Sequence, residues 1–141
     1  MLISRITQPQ GENFMATWQE VSTVLTSGIA FKGEMVNDSL VKTLLEIKGG
    51  RSQLVFVGHI GENVVLSSVV CKIEEVNLTA LFTGDILNQV VYGLSSIGEH
   101  MVVRHVTPLE NLNANELAQP LVALAVFGDI LEAAITGKDT Y

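Results

Sequence analysis

Three histidines and one cysteine are the residues of this 141-residue sequence that most readily bind metals or act as nucleophiles. His100 and His105 are five residues apart on one predicted strand, and an odd separation directs them to opposite faces. They are therefore not expected to share a metal, and the spacing of Asp and Glu indicates no metal loop. Cys71 lies in the apolar run VVLSSVVCKI, which is typical of a small buried hydrophobe. The sequence thus predicts no metal site and no cofactor.

The segment GHIG, residues 58–61, matches the GxxG loop with which KH domains clamp a nucleic-acid backbone. That loop belongs between two helices, whereas this segment joins two predicted strands and precedes Glu62, so it is interpreted as a turn. The paired serines lie in strand-like runs with no base indicated nearby, and the common nucleotide-binding and hydrolase motifs are absent from the sequence. We therefore expect no catalytic residue, and the chain is predicted not to be an enzyme.

The composition is unusually apolar for a single domain of this length. Hydrophobic residues make up 48% and charged residues 16%, with 15 acidic against 8 basic side chains and a net charge of −7. Because the basic residues are few and scattered, binding to nucleic acid is not expected. The sequence shows no signal peptide, and every long apolar run is interrupted by a charge, which argues against a membrane span. A cytoplasmic location is therefore predicted.

Short runs rich in β-branched residues dominate the middle of the chain. IAFKGEMV, LVKTLLEIK, QLVFVGHI and NVVLSSVVCKI are separated only by turn-forming segments, which leave no room for crossover helices. These four runs predict an antiparallel sheet that meanders from strand to strand. In the second run the odd-numbered residues from Val41 to Ile47 form the more apolar face, which is expected to face the core.

Helical patterns surround these strands. Helices are predicted near residues 14–27, 77–91 and 115–136, and two further strands, YGLSSI and HMVVRHVTPL, precede the last helix. Residues 1–12 are predicted to be an irregular lead, and residues 13–141 a single domain. The order helix, three or four strands, helix, two strands, helix defines an α+β fold with an antiparallel sheet flanked by three helices.

The last helix is apolar on nearly every side. One row of residues, here called the leucine row, has a heptad-like spacing and comprises Leu117, Leu121, Leu124, Gly128, Leu131 and Ile135. A second row, the valine row, comprises Val122, Val126 and Ile130, with Phe127 beside it. Either both rows are buried within one domain, or one row meets another chain. We favour a dimer or partner interface formed by Val122, Val126, Phe127, Gly128 and Ile130, because the chain has an excess of apolar residues and the leucine row would suit the larger core better. A glycine in mid-helix would also permit close approach of another backbone.

The segment from Tyr92 to Asp139 resembles the C-terminal half of bacterial YbjN-type proteins. The matching residues are Val102, Val103, Arg104, Pro108, Leu109, Glu110, Asn111 and Leu112, followed by a helix that ends in LEAAITG. The order of elements from about residue 14 to residue 137 agrees as well. The resemblance implies a fold like that of type III secretion chaperones, which are small, acidic dimers that hold an extended segment of a client protein. It implies no catalytic residue.

These observations favour a non-enzymatic, homodimeric domain of chaperone-like or regulatory type that binds a protein client. The alternative is a small-molecule sensor with a pocket between the first helix and the sheet, walled by Phe14, Trp18 and Tyr92. A co-purifying protein would favour the first hypothesis, and a co-purifying small ligand would favour the second.

Overall fold

Six strands form one antiparallel sheet in the computed structural model, which describes residues 17–89, 92–110, 112–137 and 141. The strands are β1 (Gly33–Asn37), β2 (Leu40–Ile47), β3 (Arg51–Ile60), β4 (Asn63–Lys72), β5 (Gly93–Ile97) and β6 (His100–Pro108). The first four pair in chain order through short turns, as their sequences predict. The predicted α+β class with an antiparallel sheet is therefore confirmed.

The last two strands do not continue the meander. The strand order is β1-β2-β3-β4-β6-β5, so β6 pairs with both β4 and β5, and β5 lies at the sheet edge. The connection from β4 to β5 must consequently pass β6, and it carries short helical segments that a simple turn would not need. The predicted meander of the first four runs is therefore confirmed, and the exchange of β5 and β6 is a feature that the sequence did not predict.

Three α-helices accompany the sheet: α1 (Trp18–Thr26), α2 (Leu78–Thr83) and α3 (Ala114–Thr136). Side-chain oxygens of Thr17, Asn77 and Asn113 accept hydrogen bonds from backbone N–H groups of the first turns and so begin these helices. Gly137 adopts the left-handed conformation, with a φ of 69°, and ends α3, as the sequence predicts.

One helix prediction needs correction. The helix predicted over 77–91 stops at Thr83, because Gly84 takes an extended backbone conformation, and a 3₁₀ turn, Ile86–Gln89, follows it. The lead at 1–12, the first turn predicted from residue 14, and residues 90 and 91 lie outside the described residues.

α1 and α3 pack on the same face of the sheet, and α2 lies beside the C-terminal end of α3. One row of directly paired residues crosses five strands beneath α3 and comprises Thr43, Val55, Ser68, Val103 and Leu94. The odd-numbered side chains of β2 turn to this face, as predicted: Val41 and Thr43 are buried, whereas Lys42 and Leu44 are exposed. At the edge, α1 lies so close to β1 that a Cβ at Gly33 would come within 2.7 Å of the Leu25 carbonyl oxygen. The core therefore lies between this face and α3.

Candidate functional site

The two rows of α3 differ sharply in exposure. Every leucine of the leucine row is fully buried against the sheet. In the valine row, by contrast, Val122 is 52% exposed and Val126 and Ile130 are each 37% exposed. Among the described residues, this second row is left partly open to solvent, although it belongs to the most apolar helix of the chain.

Gly128 and Phe127 do not share that outward orientation. A Cβ at Gly128 would come within 2.9 Å of Gln53 Nε2 and 3.0 Å of Ser68 Cβ, so this glycine faces the chain's own sheet. Phe127 packs edge-on against Tyr92, with ring centroids 5.6 Å apart. The expectation that Gly128 admits the backbone of a second chain is therefore wrong, because β3 and β4 already occupy that space. The outward surface is reduced to Val122, Val126 and Ile130.

An apolar groove lies beside the valine row. It has a volume of about 410 Å³ and lies between residues 45–48 at the end of β2 and Val122, Ala125 and Val126 of α3. We call it the α3–β2 groove. Leu45 and Ile47 supply apolar side chains from the strand, since both belong to the core-facing side of β2. The sequence predicted the facing of these residues, but it could not predict that α3 would lie beside them.

The strand edge along this groove is open. β3 pairs with β2 over its whole length from Leu40 to Ile47, but β1 pairs only with residues 40–43. Within the described part of the chain, residues 44–47 thus have a strand neighbour on one side only. Backbone N–H and C=O groups on such an edge are available to an added strand.

Polar side chains are buried where α3 crosses the sheet. Thr43, Gln53 and Ser68 are at most 2% exposed, and the Gln53 amide donates a hydrogen bond to the Val69 carbonyl oxygen. Thr43 Oγ1, Gln53 Oε1 and Ser68 Oγ have no hydrogen-bond partner among the described residues. Such atoms are rare in a core. Sequence analysis did not single out this cluster, since only the register brings its members together.

An ion pair fixes α3 beside this polar cluster. Arg51 at the start of β3 contacts Asp129 of α3, with Nε and Oδ1 2.7 Å apart. The Asp129 side chain is only 13% exposed, so water screens the pair less than it screens an open surface pair. One of the few charges on α3 is therefore turned toward the chain's own sheet and neutralised there.

A second acidic residue of α3, Glu132, is fully buried near Cys71. Its Oε2 accepts a hydrogen bond of 3.2 Å from the backbone N–H of Tyr141. Burial, and after it the nearby carboxylates of Glu75 and Glu132, together raise the pKa of the Cys71 thiol from 9.0 to about 11. The thiol is therefore protonated at neutral pH and is a poor nucleophile.

The aromatic residues proposed as walls of a ligand pocket lie apart. Trp18 stacks on His59 of β3, with ring centroids 5.5 Å apart, whereas Tyr92 packs on His105 of β6. β4 separates these two strands, and Phe14 lies outside the described residues. The structure does not bring Trp18 and Tyr92 together. The alternative of a sensor pocket therefore stays a prediction, with Trp18 and Tyr92 on separate parts of the sheet.

The histidines are likewise separated: His105 lies beside Tyr92, whereas His100 Nε2 is 3.0 Å from the Tyr141 hydroxyl. Over residues 17–89, 92–110, 112–137 and 141, no group of three or more His, Cys, Asp or Glu side chains is placed to hold a metal ion. Within α3, residues Glu116–Thr136 are long and apolar enough to cross a bilayer by length and composition alone. The buried core helix of a soluble domain meets the same criterion.

Comparison with protein-family models, with curated proteins and with solved structures gave no match. The likeness to YbjN-type proteins therefore rests on the sequence pattern, and the function has to be inferred from the geometry of α3 and β2.

Proposed function

We propose that this chain is a non-enzymatic protein-binding domain that acts as a homodimer in the cytoplasm. The valine row of α3 is the self-association surface, and the α3–β2 groove with its open strand edge receives an extended segment of a client protein. Type III secretion chaperones, whose fold the resemblance to YbjN-type proteins implies, hold client segments in this way. The observation that carries the proposal is the uncharged outward face of α3.

That face is unusual for a surface that meets water. Its exposed residues between positions 119 and 134 are Gln119, Val122, Val126, Ile130, Ala133 and Ala134. None of them is charged, whereas the outer face of a solvated helix normally carries several charged side chains. With a net charge of −7, two copies repel each other over most of their surface. The outward face of α3 is where they can meet without opposing like charges.

The groove suits a peptide better than a compact small molecule. A strand added to residues 44–47 would form backbone hydrogen bonds with β2 and direct alternate side chains toward Leu45 and Ile47. The backbone bonds would supply affinity for many sequences, and the groove would select an apolar side chain. This geometry favours a client segment that is extended and has an apolar side chain at every second position.

Nucleic acid and membranes are not among the proposed partners. The acidic charge opposes binding to phosphate backbones. Insertion of α3 into a bilayer would remove four fully buried leucines from the sheet and expose Glu132 to hydrocarbon. Both steps cost free energy, since each buried leucine contributes roughly 1.5 to 3 kcal/mol and a carboxylate is poorly tolerated in lipid.

Val126→Asp tests the self-association surface. The substitution places a charge on a side chain that already reaches water, so the monomer should stay folded while the dimer is lost. Light scattering would report the mass, and circular dichroism the fold. Val106→Asp is the matched control, because Val106 is 51% exposed on β6, away from α3. A Val126→Asp dimer as stable as the Val106→Asp dimer would refute the proposal.

A further inference from the structure

The valine row is symmetric about its central residue. Val122 and Ile130 each lie four positions from Val126, and all three side chains are exposed. A twofold axis that passes through Val126, perpendicular to α3, would bring Val126 against the partner's Val126 and Ile130 against the partner's Val122. A row of this kind is complementary to itself in the antiparallel orientation, which is the condition for an isologous dimer.

We propose that two copies pair through α3 in this antiparallel arrangement, with Val126 at the twofold axis, and that the partner's Ile130 completes the α3–β2 groove. Val122 belongs both to the valine row and to the wall of the groove. The residue of the second copy that lies on Val122 must therefore stand at the edge of the groove. The proposal rests on the dimer of the proposed function and makes the client site a product of both copies.

Three features favour a second copy as the occupant of this face. Small side chains flank the row at Ala123 and Ala133, so two helix axes can approach to about 8–10 Å. In this arrangement Ala133 lies opposite the partner's Gln119. Both side chains are uncharged, so no like charges are brought together. Antiparallel helices also align the positive end of one helix dipole with the negative end of the other. A parallel pair would lose that alignment.

The size of the face sets the strength of the pairing. α3 has 23 residues and is therefore about 35 Å long. With a width of about 10 Å, its outward face offers roughly 350 Å², whereas a standard interface buries about 800 Å² on each partner. Pairing through this face is therefore weak, and the dimer dissociates on dilution.

Cysteine cross-linking tests the orientation directly. In a full-length Cys71→Ala chain, each of Val122→Cys, Val126→Cys and Ile130→Cys is oxidised and analysed on a non-reducing gel. Val126→Cys alone should form a covalent dimer. Val122→Cys or Ile130→Cys alone should not form a covalent dimer. The twofold axis places each of these residues about 12 Å along the helix from the same residue of the partner, beyond the reach of a disulfide. An equimolar mixture of Val122→Cys and Ile130→Cys should cross-link.

The other outcomes are distinct. Cross-linking of all three single variants would show a parallel pair and overturn the inference. A dimer by sedimentation in which none of them cross-links would place the interface elsewhere, and Val106→Cys measures the collisional background. A monomer by sedimentation would overturn the proposed function itself. For the groove, Leu45→Cys should be alkylated several-fold more slowly than the same cysteine in an Ile130→Asp chain, because Ile130 does not line the groove of its own copy. Equal rates would refute the role of the partner's Ile130.

Discussion

Gly128 of α3 lies directly against Ser68 of β4, so closely that a Cβ at Gly128 would overlap the Ser68 hydroxyl. The same Cβ would come within 2.9 Å of the Gln53 amide nitrogen. At this crossing, shape rather than apolar area fixes the distance between helix and sheet. The leucines on either side of Gly128 are buried to the depth that this contact permits.

Gly128→Ala should therefore destabilise the fold, although alanine is the better helix former by about 1 kcal/mol. Overpacking a close contact costs typically 1–3 kcal/mol, and here both β3 and β4 would have to shift. We expect a net loss of about 1–2 kcal/mol in the free energy of unfolding, measured in urea by circular dichroism.

Two companion variants make that result specific. Gly93→Ala is the control, because a Cβ at Gly93 meets nothing within 4 Å, and its stability should change little. In a Ser68→Ala background the cost of Gly128→Ala should shrink, since the overlapping hydroxyl is gone. An unchanged cost in that background would show that Ser68 does not set the helix position.

The Cys71 thiol should make stability depend on alkaline pH. Its pKa is about 11 in the folded chain against an ordinary value of 9.0, because burial and then Glu75 and Glu132 disfavour the thiolate. The folded state therefore holds this proton more tightly than the unfolded state. The contribution is complete below pH 9 and is lost as the pH rises toward 11.

Urea unfolding between about pH 8 and about pH 11 would measure this loss in the unmodified chain and in Cys71→Ala. The difference in stability between the two should narrow as the pH rises, since only the unmodified chain has a buried thiol to ionise. Because Cys71 itself helps to raise the pKa of Tyr141, the comparison is made with Tyr141→Phe in both chains. A difference that does not change with pH would contradict the assignment.

Client binding should depend on one face of β2 and not on the other. Ile47 lines the α3–β2 groove, whereas Leu44 is 56% exposed on the opposite face. Peptides selected from a displayed random library should share alternating apolar residues. Ile47→Asp should weaken their binding tenfold or more, and Leu44→Asp should leave it within about twofold, as judged from the loss of one buried apolar contact. Equal effects of both variants would remove the groove from the client site.

The local elements could be predicted from the sequence because their signals are local. Turn residues separate the β-branched runs of β1 to β4, and Asn77 marks the start of α2 just before Leu78. The sequence also predicted which side chains of β2 face the core, because successive side chains of a strand alternate between its two faces. The sequence also predicted which row of α3 is buried, because leucines at heptad spacing favour packing on a broad sheet surface.

The features that the sequence did not predict depend on contacts between residues far apart in the chain. Nothing local in β5 or β6 indicates that β6 inserts between β4 and β5. The partner of Gly128 is equally remote, since Ser68 and Gln53 reach it only through the sheet register. The sequence therefore showed that Gly128 needs a close neighbour but assigned that neighbour to a second chain. The open edge of β2 depends on where β1 begins, and the prediction placed that strand from residue 29 instead of Gly33.

Sedimentation velocity of the unmodified chain at micromolar concentrations tests the central claim most directly. The chain has a mass of 15.2 kDa, and the proposed pairing through α3 predicts a species of twice that mass that dissociates on dilution. Because the valine row is uncharged, the dimer should persist when the salt concentration is raised. A single species of 15.2 kDa throughout the micromolar range would contradict the account.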